Sequence, residues 1–158
     1  MDRDVRAGSW SASEGIEIAG LTLGLVGLGG VGSEMARIAA AFGMHVIAWY
    51  RSGIPSGVPA EPADLDTLFT ASDAVSLHLA LVPQTCSLLE AHRLAKMKHG
   101  AILINTARGA LVDEAALIGA LQCGRIGHAA LDVFAIEPLP GDHPLTQLDN
   151  VTLTSHAG

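Results

Sequence analysis

Aromatic side chains are scarce in this chain: one tyrosine, two tryptophans and three phenylalanines make up 4% of 158 residues. The apolar content of 49% is therefore carried mainly by small and branched aliphatic residues, which suits an α/β protein rather than an aromatic-rich binding module. Basic charge is short as well, with 9 Lys and Arg against 16 Asp and Glu, a net charge of −7 and no run of Lys or Arg. The electrostatic footprint for nucleic acid or an anionic membrane is missing, so neither partner is expected. Long apolar runs are also lacking. The stretch from Ile18 to Gly32 is too short and too broken by glycine to span a bilayer, and the charged start MDRDVRAG does not resemble a secretory signal. A soluble, cytoplasmic protein is expected. Only two cysteines occur, Cys86 and Cys123, without CxxC or metal-ligand spacing, which excludes a disulfide framework and gives no reason to expect a metal.

What the chain has is glycine, 18 of them, and a regular alternation of short apolar runs with helical patterns. The runs are TLGLVGL (22–28), HVIAW (45–49), DAVSLHL (73–79), AILINT (101–106), HAALDVF (128–134) and NVTLT (150–154). Between the first two, Val31, Met35, Ile38 and Phe42 recur at helical spacing and Gly43 follows as a stop. A second helix is expected to start at Asp113 as its cap, to pass through Leu117 and Leu121, and to end at Gly124. The proline-bearing stretches 52–62 and 137–144 read as surface loops. Strands that alternate with helices build a parallel sheet with right-handed crossovers. The expectation is one α/β domain over 1–158, a doubly wound, Rossmann-type sheet with helices on both faces and its ligand at the carboxyl ends of the strands.

Gly27, Gly29 and Gly32 in GLVGLGGVGSEMA fit GxGxxG spacing directly after a strand and before a helix. In that context the first glycine allows a tight turn, the second lets a pyrophosphate approach the backbone, and the third lets helix and strand pack closely. A purely structural turn is the alternative, but the flanking strand and helix favour dinucleotide binding. An acid that grips a ribose hydroxyl is expected about 20 residues on, yet AWYRSG places Tyr50, Arg51 and Ser52 there. A carboxylate repels a 2′-phosphate, whereas an arginine and a hydroxyl hold one. The stretch therefore favours NADP(H), with Tyr50 beside the adenosine. If Arg51 is an ordinary solvated arginine, NAD(H) is bound as well.

Five stretches, TLGLVGLGGVGSEMARIAAAFGMHVIAW, SDAVSLHLALVPQT, MKHGAILINTARGALVDEAALIGAL, ALDVFAIEPLP and NVTLTSHAG, occur in the order found in one family. From about Val5 to Gly158 the chain resembles the nucleotide-binding domain of the D-isomer-specific 2-hydroxyacid dehydrogenases. The resemblance implies reduction of a small 2-oxo acid of the glyoxylate or hydroxypyruvate type, or oxidation of the matching 2-hydroxy acid, with a nicotinamide cofactor. It matches Arg108 to the arginine that holds the substrate carboxylate, His156 to the acid/base histidine, and Glu137 to the carboxylate that pairs with it. Read alone, Arg108 is equally a surface arginine. Asp132 matches the residue near the nicotinamide carboxamide, its alternative being an aspartate that bonds local backbone. The cofactor-contacting set implied is Gly27, Gly29, Gly30, Val31, Gly32, Tyr50, Arg51, Ser52, Ala107, Arg108, Asp132 and His156. Of the other six histidines, His78 ends a strand near the expected adenine or nicotinamide edge, while His45, His92, His99, His128 and His143 show no paired acid or ligand spacing; all six read as structural or solvated.

Departures from the family pattern are Gly30 where a larger residue is usual, Ser155 for proline, Ala157 for a bulkier residue, and His128 for a small one. Residues 1–15 lead into the domain, and the substrate-binding domain that relatives build from segments on both sides is expected to be missing. The family also implies a homodimer formed through the nucleotide domain. A cofactor-sensing binding module is the competing reading, disfavoured because a sensor has no need of Arg108, Glu137 and His156 together.

Overall fold

The structure, a computed structural model, describes residues 5–10 and 15–157. Part of the leading segment 1–15 and the terminal Gly158 of the family-like stretch lie outside the described residues.

Seven strands form one sheet: β1 (Thr22–Val26), β2 (His45–Trp49), β3 (Glu61–Pro62), β4 (Ala74–Leu77), β5 (Ala101–Asn105), β6 (Ile126–Leu131) and β7 (Val151–Leu153). Their spatial order is β3-β2-β1-β4-β5-β6-β7, and every neighbouring pair is parallel. Helices α1 (Gly30–Ala41), α2 (Leu65–Ala71), α3 (Ala91–Lys96) and α4 (Glu114–Gln122) fill the crossovers. The chain winds one way from β1 to β3 and the other way from β4 to β7, so the switch point lies between β1 and β4.

Strand β1 shows how the two faces are used. Leu23 and Leu25 pack with Ala36 and Ala39 of α1, while Val26 belongs to the larger core with Leu68 and Phe69 of α2 and Leu117 and Leu121 of α4. Alternate residues thus serve opposite layers, as strand pleating requires. Helix α4 begins as expected: the Asp113 carboxylate accepts from Ala116 N at 3.0 Å, and Gly124 takes a positive φ of 72° beyond its end.

Helix α1 is where the sequence indicates, with Gly43 in the left-handed region after it, but its inward face is not the apolar stripe. Val31, Ile38 and Phe42 are 67%, 51% and 60% exposed, while Gly32, Ala36 and Ala39 are buried. Small residues face the sheet because α1 lies close against the glycine turn; of the bulky stripe only Met35 packs in part against this core. The loop expected over 52–62 ends in β3, which pairs Ile47 with Glu61 and Ala48 with Pro62. Two residues at a sheet edge carry no readable periodicity, and proline is tolerated there. Strand β6 starts two residues earlier than the apolar run and stops at Leu131, leaving Asp132 and Phe134 in the turn after it. Among the described residues no helix is long and apolar enough to cross a membrane.

Candidate functional site

The turn from β1 to α1 is closed by contacts that only glycine permits. Gly27 has φ +106°, and a Cβ on it would stand 2.6 Å from the His78 carbonyl oxygen; a Cβ on Gly32 would stand 2.1 Å from the Gly27 oxygen. Nothing lies within 4 Å of the corresponding positions on Gly29 and Gly30, so this side of the turn is open. No side-chain hydrogen bond caps α1, so the first backbone N–H groups of the helix have no side-chain partner at this end. The Gly27 amide donates to Trp49 O at 2.9 Å, tying the turn to the end of β2. Trp49, Tyr50, Arg51 and Ser52 then line a cavity of about 380 Å³ with Gly29 and residues of the loop after β4.

This cavity is the first of a run along the carboxyl edge of the sheet. His78, Leu79 and Ala80 are shared with a space of about 670 Å³ that also touches Val31, Thr106, Ala107 and Arg108. Leu81 and Arg108 continue into a cleft of about 310 Å³ lined by Gly109, Phe134, Glu137 and His156. Glu137 and His156 lead on to an opening of about 780 Å³ that reaches Leu139 and Leu153. The groove runs from the Arg51 corner, past the helix start, to His156.

Each end residue is held by its own turn. Asn105, 1% exposed at the end of β5, donates from Nδ2 to Arg108 O at 2.9 Å and accepts from Ala107 N at 3.1 Å, which fixes the loop that projects Arg108. Arg108 Nη1 donates to Ala107 O at 2.5 Å. After β7, Asp132 acts as a clamp: its backbone oxygen accepts from His156 N at 2.9 Å, and its Oδ1 accepts from Ala157 N at 3.1 Å and from the Thr154 hydroxyl. The clamped turn places His156 at φ +53°, an uncommon conformation for a residue with a Cβ. His156 Nδ1 lies 2.7 Å from Glu137 Oε2, and the other carboxylate oxygen accepts from Phe134 N at 2.9 Å. The bond from His156, followed by that from Phe134, holds the Glu137 carboxyl below the usual glutamate range.

The structure thus brings Arg108, Glu137 and His156 to one cleft, sets Gly27 to Gly32 at the switch point, and places Tyr50, Arg51 and Ser52 at the far end of the same groove. Asp132 is 5% exposed, and its Oδ1 is engaged by the turn that carries His156, so the backbone-bonding alternative describes what that atom does. For the remaining histidines the structure changes one reading, that of His143, and adds contacts for His78 and His128. His78, taken as structural, forms a wall of two of the cavities; burial pushes its pKa down, and its Nε2 lies 2.9 Å from Ser76 Oγ. His143 does have an acidic partner: its Nε2 is 3.2 Å from Glu114 Oε1. The distance between the two in sequence hid the pair. His128 is accommodated by a contact of 2.9 Å between its Nε2 and Thr152 Oγ1 on β7.

A parallel sheet in this order, with an open, glycine-lined helix start at its switch point, defines a dinucleotide-binding domain of Rossmann type. Comparison with known proteins gives the family. A family model described as D-isomer specific 2-hydroxyacid dehydrogenase, NAD binding domain, matches residues 1–158. The chain belongs to this family. It is 44% identical to hydroxypyruvate reductase of Thermotoga maritima over 98% of this chain and 52% of that protein. It is also 44% identical to glyoxylate reductase of Thermofilum pendens over 98% of this chain and 49% of that protein. A crystal structure of a D-isomer specific 2-hydroxyacid dehydrogenase from Xanthobacter autotrophicus Py2, in complex with NADPH and MES, superposes with a TM-score of 0.88 at 40% identity, covering 99% of this chain and 50% of that one. The chain spans about half the length of the relatives it matches.

Proposed function

We propose that residues 1–158 form one dinucleotide-binding domain that serves hydride transfer between a nicotinamide dinucleotide, NADP(H) in preference to NAD(H), and a small 2-oxo or 2-hydroxy acid of the glyoxylate or hydroxypyruvate type. The observation that carries this reading is the 2.7 Å Glu137–His156 pair in the same cleft as Arg108. Reduction of a 2-oxo acid needs a cation for the carboxylate and the polarised carbonyl, and an acid for the oxygen that becomes an alkoxide. Arg108 supplies the planar, bidentate cation. His156 supplies the proton: Glu137 engages Nδ1, which leaves Nε2 as the nitrogen that exchanges a proton with substrate. In the reverse direction the same nitrogen accepts the proton of the hydroxy acid.

The residues fit the cofactor. The open side of Gly29 and Gly30 and the uncapped start of α1 suit a pyrophosphate. Val31, Ala107 and Arg108 line the middle of the groove. Gly27 and Gly32 shape the turn, Asp132 positions the end that carries His156, and Tyr50, Arg51 and Ser52 receive the adenosine end. When bound, the reduced nicotinamide supplies the hydride. The acid/base pair favours an enzyme over a cofactor sensor, and single-turnover oxidation of NADPH by glyoxylate, with the chain joined to a relative's substrate domain, tests this; no hydride transfer refutes it.

The preference for NADP(H) rests on Arg51 and Ser52 and has its own test. Arg51→Ala is expected to weaken NADPH binding by about 10- to 100-fold, the loss of one or two charge-assisted hydrogen bonds, and to leave NADH binding unchanged. Fluorescence of Trp49, which lines the same cavity, reports both titrations. An unchanged NADPH affinity refutes the preference.

We also place the protein in the cytoplasm, a reading supported by its two free, exposed cysteines. Homodimer formation is proposed through the outer face of α1, where Ile38 and Phe42 leave apolar surface in water. Sedimentation at micromolar concentration should then return twice the chain mass, falling to one chain mass in an Ile38→Lys, Phe42→Lys variant. A monomeric mass for the unaltered chain removes this part of the reading.

A further inference from the structure

Glu114 and His143 form a second carboxylate–imidazole pair that the proposed chemistry does not use. Glu114 is the first residue of α4, and the capping of that helix is already performed by Asp113, so the Glu114 side chain is free to reach outward. Its Oε2 accepts from Ala135 N at 3.3 Å, and its Oε1 lies 3.2 Å from His143 Nε2. His143 Nδ1 in turn faces Leu145 N at 3.3 Å. A ring nitrogen that faces a backbone N–H can only accept, so the imidazole carries its proton on Nε2, the nitrogen that lies beside the Glu114 carboxylate. The result is a run of polar contacts in which two hydrogen bonds, Leu145 N–H to His143 and Ala135 N–H to Glu114, are joined by the 3.2 Å contact of His143 with the Glu114 carboxylate. Both side chains are largely shielded, at 17% exposed for His143 and 24% for Glu114, which limits competition from water.

What this chain holds is the strip of backbone between the proposed site residues. Ala135 follows Phe134, whose N–H bonds Glu137, and it precedes Glu137 by two residues. The same strip lies against the Arg108 turn: a Cβ on Gly109 would stand 2.2 Å from Phe134 C and O and 2.8 Å from Ala135 N. The strip is thus pressed on one side by the turn that bears Arg108 and pulled by Glu114 through its amide. Phe134 packs in part against the main core and so anchors one end of the strip, while Ala135 is exposed and has only its amide bond to Glu114 to hold it.

We propose that Glu114, oriented by His143, is a positioning residue that sets the Phe134–Glu137 strip against the Arg108 turn and so aims the Glu137 carboxylate at His156. The proposal rests on the reading of Glu137 and His156 as the acid/base pair, but its test needs neither cofactor nor substrate.

The experiment follows the Glu137 side-chain carboxyl by ¹³C NMR through an acid titration of the full chain, in the unaltered protein and in Glu114→Gln, His143→Ala and His143→Gln. The bond from His156, and after it that from Phe134 N–H, hold the Glu137 carboxyl below the ordinary range, so loosening the strip weakens both. In Glu114→Gln the side chain has one acceptor for two donors, so the strip is released, and the Glu137 midpoint is expected to move up toward the ordinary glutamate range. His143→Ala is expected to do the same. His143→Gln, whose amide N–H stands in for Nε2–H, is expected to restore the midpoint. A brace that serves stability alone lowers the melting temperature of these variants and leaves the Glu137 midpoint in place, and that result overturns the proposal. Should Glu114→Gln not fold, a His143→Ala midpoint equal to that of His143→Gln overturns it equally. Absence of hydride transfer by the unaltered protein counts against the enzyme reading and not against this one.

Discussion

Gly32→Ala is expected to weaken dinucleotide binding by at least about 100-fold and to lower the stability of the chain by about 1–3 kcal/mol, whereas Gly30→Ala two residues away is expected to change stability by less than about 0.5 kcal/mol. The two glycines share a turn and differ in what surrounds them. A methyl on Gly32 meets the Gly27 oxygen at 2.1 Å and the Gly27 carbonyl carbon at 3.1 Å, both backbone atoms that cannot swing away. Gly27 has no room to retreat, because it is itself pressed against the His78 carbonyl and held by its bond to Trp49 O. The remaining relief is for α1 to lift, which draws Ala36 and Ala39 off Leu23 and Leu25 and opens the turn that must receive the phosphates. Gly30 has nothing within 4 Å on its Cβ side, so a methyl there is absorbed by empty space. Urea unfolding and Trp49 titration with NADPH measure both effects. Equal stabilities for the two variants contradict the packing account.

How legible this fold was depended on how much weight each element carries in the sequence. Strands β1 and β4 are largely buried and read as apolar runs for that reason, and β2, β5, β6 and β7 still show as apolar runs although each leaves at least one residue exposed. The six- and seven-residue helices α3 and α2 and the two-residue β3 are too short for a period to show. For α1 the apolar stripe marked the helix without marking its buried face, since close approach to the sheet selects Gly32, Ala36 and Ala39, which contribute little to any hydrophobic pattern. In the site, Gly27 after β1 and Arg51 after β2 stood out from motif and position, whereas Arg108 after β5 and Asp132 after β6 were singled out only through the family resemblance. The supporting contacts were not readable. Asn105 looks like the end of an apolar run until its side chain is seen closing the Arg108 turn on both sides. Glu114 and His143 look unrelated until the loop after β6 folds back over α4.

His156→Asn is expected to slow hydride transfer by about 10²- to 10⁴-fold, the range over which a positioned general acid acts, with dinucleotide affinity unchanged within about twofold. Asparagine is the substitution of choice because the backbone at this position has φ +53°, which Asn adopts more readily than most residues with a Cβ, so the turn clamped by Asp132 should survive. The variant keeps the bonds from His156 N to Asp132 O and from Ala157 N to Asp132 Oδ1, which are backbone bonds and do not depend on the ring. What it loses is the proton donor and the partner of Glu137. The Glu137 carboxyl is held low chiefly by His156, so in the variant its titration should move up, with the weaker hold from Phe134 N–H remaining. Single-turnover NADPH oxidation by glyoxylate, in the chain joined to a substrate domain, reads the rate; Trp49 fluorescence reads the affinity. If the rate survives, His156 is not the acid. If the affinity falls in step with it, the imidazole holds the cofactor rather than the proton.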